Sequence, residues 1–273
     1  MTHSGADIAH MLSAHGLRPS RALGQNFVAD PNTVRRIARL AGAAPGTRVL
    51  EIGAGLGSLT LALAETGARV VAVEADRHLV PVLRPMVEPV GVEVVEADAL
   101  NVDLAALLEA RGGGRWRLVA NLPYNIATPL VLRTLVQVPA VSDLLVMVQR
   151  EVGERLAAGV GDPAYGAVSV RVAYFARAEL AGRVPASVFV PRPRVESVLV
   201  RLTRRDAPAV DPALVPYERL DAVVRAGFAH RRKMLRRSLA GVVEPEAFAA
   251  AGVRPDARAE ELDVAAWGRL AAR

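Results

Sequence analysis

Between Arg48 and Val148, short runs rich in Val and Leu alternate with helical segments, and this alternation constrains the fold more than any other feature. Val49-Leu-Glu-Ile reads as a buried strand ending in Gly53-Ala-Gly-Leu-Gly. Ser58 to Glu65 reads as a helix and Arg69-Val-Val-Ala-Val-Glu74 as a second strand. His78 to Met86 is helical, with Pro81 in its first turn. Val92 to Asp98, Arg117 to Asn121 and Asp143 to Val148 give three more strands. Strands connected through helices run parallel in a sheet covered on both faces. Ser169 to Phe175 and Glu196 to Thr203 also carry strand patterns. The expectation is an α/β, Rossmann-like seven-stranded sheet. Upstream, Asp30-Pro31 marks an N-cap and first helical position, opening a helix through Leu40.

A chain of 273 residues suits one large domain plus a small one. Composition shifts after Arg205, where Asp206-Ala-Pro-Ala-Val-Asp-Pro reads as a linker and strand patterns stop. Tyr217 to Phe228, Arg232 to Leu239, Pro245 to Ala250 and Val264 to Ala272 read as helices. The expected division is residues 1–205, with a basic N-terminal extension, and a small all-helical domain over 206–273. A hydrophobic share of 52% excludes a disordered role. The lack of cysteine excludes disulfides, thiolate metal sites and cysteine nucleophiles. The five histidines show no metal-ligand spacing, so no metal is expected. No apolar run reaches the ~18 residues of a membrane span, and the first residues lack a secretory pattern. A cytoplasmic location is expected.

The chemistry gathers where strands end. Gly53, Gly55 and Gly57 follow the first strand as GxGxG, whereas pyrophosphate-binding loops need GxGxxG. Alone, this loop is either a tight strand-to-helix turn or a ligand site. Glu74 ends the second strand, 21 residues beyond Gly53, at the spacing of a carboxylate that accepts ribose hydroxyls. Asp98 ends the third, where a carboxylate can accept from an adenine amine. Each acid alone could be a solvated strand end. Together, a ribose acid and an adenine acid without a pyrophosphate loop describe S-adenosylmethionine better than NAD.

The fourth strand ends in Asn121-Leu122-Pro123-Tyr124. The exocyclic amine of adenine is a poor nucleophile because its lone pair is delocalised into the ring. Two acceptors on its two hydrogens, the Asn121 side-chain oxygen and the Leu122 carbonyl, would bias the nitrogen toward a pyramidal form. Pro123 would stiffen the loop and Tyr124 would offer a face for the base, where stacking is worth ~1–3 kcal/mol. No catalytic base is required, and orientation carries the reaction.

Basic residues outnumber acidic ones by 34 to 28, and only Lys233 is a lysine. Arg225, Arg231, Arg232, Lys233, Arg236 and Arg237 form a run without acids. On a helix, Arg232 and Arg236 share a face. Such a run is either a solvated helix face or a set of phosphate contacts that position RNA without reading its sequence. Arg18 and Arg21 would add to the same field.

These motifs resemble those of the small-subunit ribosomal RNA adenine dimethyltransferase family. The resemblance is carried by Leu23-Gly-Gln-Asn-Phe, Glu51-Ile-Gly-Ala-Gly-Leu-Gly-Ser-Leu-Thr, Glu74, Glu96-Ala-Asp-Ala-Leu, Asn121-Leu-Pro-Tyr-Asn-Ile, Gln149-Arg-Glu-Val and Val188-Phe-Val-Pro-Arg-Pro-Arg-Val-Glu-Ser. It implies that Asn26 and Val28 lie over the cofactor, that Gly53 lines it, that Glu74 holds the ribose and Asp98 the adenine, and that Asn121 bridges cofactor and target. It also implies that Phe189 closes on the flipped base opposite Tyr124. The implied activity is dimethylation of N6 on two adjacent adenosines in a hairpin loop near the 3′ end of small-subunit (16S) rRNA, by a monomer acting on an immature 30S particle. The alternatives are a large-subunit (23S) rRNA adenine methyltransferase of the macrolide-resistance type, whose corresponding motif usually begins Asn-Ile-Pro-Tyr, and a non-catalytic ribosome-assembly or RNA-binding factor.

Overall fold

In the computed structural model, which describes residues 2–20, 22–123, 125–230 and 233–273, the runs between residues 48 and 149 become five strands. The strands in chain order are β1 (Phe27–Val28), β2 (Arg48–Ile52), β3 (Arg69–Glu74), β4 (Glu93–Glu96), β5 (Trp116–Asn121), β6 (Val141–Gln149), β7 (Ala176–Val184), β8 (Phe189–Val190) and β9 (Ser197–Arg204). Seven of them form one sheet in the order β4-β3-β2-β5-β6-β9-β7. The pairs β3–β4, β2–β3, β2–β5 and β5–β6 are parallel. β1 and β8 pair antiparallel in a separate two-stranded sheet. This is the expected α/β, Rossmann-like architecture, followed by C-terminal helices.

Register decides where the chemistry lies. Ile52 pairs with both Val73 and Ala120, Glu74 with Glu96, and Asn121 with Met147. The last residues of β2, β3 and β5 therefore fall at one edge of the sheet, the carboxyl edge. Pairing carries on past the strand ends: Gly53 N–H donates to Val73 O (2.8 Å), Ala97 N–H to Glu74 O (3.0 Å) and Leu122 N–H to Met147 O (3.0 Å). The loops leaving that edge thus start from fixed positions.

Two compact units divide the chain: residues 1–153 with 179–202, and residues 154–178 with 203–273. In the first, β2 and β3 are buried almost throughout, as expected for strands covered on both faces. The helix Pro31–Leu40 forms as expected. Asp30 caps it by accepting from Asn32 N–H (3.3 Å) and Thr33 N–H (3.0 Å). Its buried Val34, Ile37 and Ala38 follow helical spacing, and each large apolar side chain buried this way is worth ~1.5–3 kcal/mol. A further helix, Gly5–Ala14, was not expected. Ser4 and Asp7 close a capping box on it. Its Ile8 and Leu12 pack with Phe27, with Leu56 of the glycine loop and with Leu79.

The second unit contains the helices Ala167–Phe175, Tyr217–Ala229, Leu235–Ser238, Pro245–Ala250 and Val264–Ala271. Tyr165, Val170 and Tyr174 share a core with Leu220, Val224, Leu235, Trp267 and Leu270. Two expectations change here. Residues 169–175 are helical, not a strand. Gly166 N–H donates to Ser169 Oγ at the start of this helix (3.1 Å), and Ser169 Oγ donates to Arg155 O (2.6 Å). The seventh strand is instead β7. The expected single division near residue 206 also left out 154–178, which belongs with the helical unit because its tyrosines fill that unit's core.

Candidate active site

Gly53, Gly55 and Gly57 adopt positive φ angles of 76°, 58° and 82°. A Cβ on Gly55 would lie 3.0 Å from the Phe27 ring, and one on Gly57 would lie 2.9 Å from Leu83 Cδ1. Side chains are excluded by both conformation and space. The loop is a tight turn and also a ligand-side wall: Gly53, Ala54 and Gly55 line a cavity of about 300 Å³ at the carboxyl edge. That volume lies at the lower end of the ~300–1,000 Å³ of small-molecule sites. Glu74, Asp98, Asn121, Leu122, Pro123, Asn26 and Val28 line the same cavity. The structure therefore brings together every expected cofactor residue.

Glu74 is buried, with one oxygen accepting from Gly55 N–H (2.7 Å) and the other from Asp76 N–H (2.9 Å). Burial raises its pKa and these two donors oppose the rise. Each carboxylate oxygen retains a lone pair for a further donor. Asp98 is exposed and shaped by its own loop, with Oδ1 accepting from Leu100 N–H (2.9 Å) and Oδ2 from Asn101 Nδ2 (2.7 Å). Asn121 Nδ2 donates to the main-chain carbonyl of Asn26 (2.9 Å), which leaves Oδ1 as the side chain's acceptor. Leu122 is buried with its N–H engaged by β6. Pro123 O accepts from Ala127 N–H (3.1 Å), tying the loop to the helix Ala127–Gln137.

Sequence reasoning missed three residues of this site. Glu51, the residue before Ile52 in β2, is 1% exposed, lines the cavity, and has an Oε2 without a hydrogen-bond partner among the described residues. Its pKa is pushed up to about 8. Burial is the main cause, the Thr60 hydroxyl works against it, and the charge of Glu74 adds to it. An acid inside a strand otherwise buried was the available signal. Ser58 Oγ, also at the cavity, is a second buried polar atom there without a partner among the described residues. The third missed residue is Gln25, whose Nε2 donates to Asp76 Oδ2 (2.7 Å) across 51 residues of sequence.

Other expected residues are placed differently. Phe189 is not at the cavity. It is 3% exposed, pairs with Val28 between β8 and β1, and joins the core beneath. Its position places it in the packing beside Val28. Tyr124, Arg21, Arg231 and Arg232 lie outside the described residues. Arg225 is exposed but ion-paired to Asp221 (3.2 Å), which also holds Arg171 (2.8 Å). Lys233, Arg236 and Arg237 are exposed, and the helix there is only Leu235–Ser238, shorter than the expected Arg232–Leu239. Arg18 is exposed, in the first unit.

The family model "Ribosomal RNA adenine dimethylase" matches residues 17–273. The chain is 46% identical to the ribosomal RNA small subunit methyltransferase A of Kineococcus radiotolerans, covering 98% of this chain and 90% of the relative. It is 47% identical to the protein of the same name from Leifsonia xyli, covering 98% and 97%. Among solved structures, a dimethyladenosine transferase from Plasmodium falciparum shares the fold with a TM-score of 0.71 at 23% identity, covering 88% of this chain and 94% of that one. The 23S rRNA methyltransferase ErmE superposes with a TM-score of 0.70 at 27% identity, covering 90% and 98%. A family match over residues 17–273, close relatives covered over nine-tenths or more of both chains and a cavity built from the expected residues agree: this chain belongs to the ribosomal RNA adenine dimethylase family.

Proposed function

We propose that this enzyme uses S-adenosylmethionine to dimethylate adenine N6 in small-subunit (16S) rRNA, on two adjacent adenosines of a hairpin loop near the 3′ end. The observation that carries the reading is the Asn121 side chain, held by Asn26 O at the same sheet edge as Glu74 and Asp98. The residues present fit the cofactor. Glu74 retains lone pairs for ribose hydroxyls, and Asp98 stands at the adenine side. The unpartnered Glu51 Oε2 and Ser58 Oγ suit the methionine end, where a buried carboxylate attracts the ammonium group. When bound, the cofactor supplies an electrophilic methyl group.

The chain's own residues orient the amine. Asn121 Oδ1 and the Leu122 carbonyl accept its two hydrogens and aim its lone pair. Pro123, buttressed through Ala127 N–H, keeps those acceptors in place. Effective molarities of ~10⁵–10⁸ M are available from orientation alone, so no side-chain base has to be found. Each transfer leaves the nitrogen cationic until it gives a proton to water; after the first, a single N–H remains, and the amine must turn about its C6–N6 bond before the second. A loop adenine suits this site because extruding an unpaired base costs less than breaking a duplex pair.

The exposed Lys233, Arg236 and Arg237 serve as phosphate contacts to the RNA of an immature small subunit, with the enzyme acting as a cytoplasmic monomer. Among the described residues no helix is long and apolar enough to cross a membrane. A pure assembly factor would have no use for a cavity lined by Glu51, Glu74 and Asp98. The test is incubation with the methyl donor and either unmethylated small subunits or 23S rRNA, followed by digestion to nucleosides. N6,N6-dimethyladenosine should form on the small subunit. Arrest at monomethyladenosine, or methylation of 23S rRNA alone, would refute the proposal.

A further inference from the structure

A carboxamide has two faces, and turning it by 180° exchanges donor for acceptor. The use of Asn121 as an acceptor for the substrate amine therefore depends on what holds its Nδ2. That partner is the Asn26 carbonyl, on a segment just before the two-residue strand β1. The segment lies against the catalytic loop. Asn26 Nδ2 donates to Gly24 O (3.0 Å), and a Cβ on Gly24 would sit 3.0 Å from Pro123 Cβ. With φ of +61°, Gly24 lets the chain approach that closely.

What anchors this segment is Gln25. Its N–H donates to Ser20 O (3.0 Å), its Oε1 accepts from Ser20 N–H (2.8 Å), and its Nε2 donates to Asp76 Oδ2 (2.7 Å). Asp76 is itself held at both ends. Its N–H donates to Glu74 Oε1 and its Oδ1 accepts from His78 N–H, each at 2.9 Å. A hydrogen-bonded path thus runs from the ribose-side carboxylate to the acceptor for the amine.

We propose that Gln25 is a positioning residue for methyl transfer: clipped to Asp76, it holds the Asn26 carbonyl on Asn121 Nδ2 and so keeps Asn121 Oδ1 turned to the substrate amine. The proposal rests on the reading of Asn121 as that acceptor. It makes the polarity of the Gln25–Asp76 bond matter, and polarity can be inverted. Gln25→Glu sets two carboxylates against each other. Adding Asp76→Asn restores the bond with the donor on the other side. The new carboxamide can still accept from His78 N–H, and the new carboxylate can still accept from Ser20 N–H. Gln25→Met keeps the length of the side chain and removes its polar atoms without adding charge.

The experiment is steady-state methylation of unmethylated small subunits by these three variants and by Asn121→Ala. Calorimetric cofactor affinity and melting temperature are measured alongside. Gln25→Glu and Gln25→Met should lower kcat roughly 10- to 100-fold, the cost of a lost charge-assisted hydrogen bond, with smaller changes in KM and cofactor affinity. The double variant should regain most of the lost kcat, because a bond of reversed polarity does the same work. Loss of cofactor affinity or melting temperature with kcat intact would reduce Gln25 to a packing role and overturn the proposal. So would a double variant that melts like wild type yet stays as slow as Gln25→Glu. Full activity in Asn121→Ala would instead overturn the reading of Asn121.

Discussion

Cofactor binding should release a proton, and Glu51 is the group that loses it. This carboxyl is buried, its Oε2 has no partner among the described residues, and its pKa is pushed up to about 8. At pH 7 such a group carries its proton about nine times in ten. The α-amine of the cofactor, with an ordinary pKa of ~7.7–8.0, is mostly charged at that pH. Docking an ammonium against Glu51 favours the ionised carboxylate, which sheds about 0.9 proton, while the neutral fraction of the amine takes up ~0.1–0.2, so a net of roughly 0.7–0.8 proton should leave for the buffer. Calorimetry at pH 7 in buffers of different ionisation heat measures this directly. The observed enthalpy should fall with buffer ionisation enthalpy at a slope of roughly −0.7 to −0.8 for the wild type, and should lose that fall in Glu51→Gln, leaving at most ~+0.2 from the amine. A flat line for the wild type, or an unchanged slope in Glu51→Gln, would refute the reasoning.

The same group sets a stability trend in the unliganded protein. Its folded pKa lies above the ordinary Glu value of 4.5, so between pH 4.5 and about 8 the folded state holds a proton that the unfolded state has lost. Stability should therefore fall as pH rises through that window, by at most ~1.4 kcal/mol per pH unit from this group. Glu74 is shifted in the same direction, so the comparison is the difference between wild type and Glu51→Gln across the window.

The remaining expectations concern the other end of the cofactor and the RNA. Glu74→Ala should weaken S-adenosylmethionine binding by ~1.5–3 kcal/mol, the value of hydrogen bonds to a charged acceptor. Asp98→Ala should weaken it less, because Asp98 is exposed and already shared with Leu100 and Asn101; equal losses in calorimetry would contradict that ranking. Replacing Lys233, Arg236 and Arg237 with Ala should leave cofactor affinity intact and flatten the salt dependence of RNA binding by ~0.7–0.9 per lost phosphate contact. An unaltered slope would leave these residues as a solvated face.

The parallel part of the sheet was legible because its signal is local. Between Arg69 and Glu74 the segment is apolar, with β-branched Val70, Val71 and Val73, and a strand buried on both faces needs nothing more. Position at the carboxyl edge then followed from topology, so Gly53, Glu74, Asp98 and Asn121 could be grouped before any contact was known. The errors arose where local and tertiary signals disagree. Ser169-Val-Arg-Val-Ala-Tyr-Phe has strand composition, yet Gly166 and Ser169 start a helix there and Tyr174 completes the core of the helical unit. The true seventh strand, β7, exposes much of its length and carries little apolar alternation, so no periodicity announced it. The site divides in the same way. Residues that end strands could be read, whereas Gln25 matters only through Asp76, 51 positions away, and Phe189 only through its pairing with Val28. A motif in sequence marks which side chains meet the ligands; the bonds that decide which way those side chains face are long-range, and only the folded chain displays them.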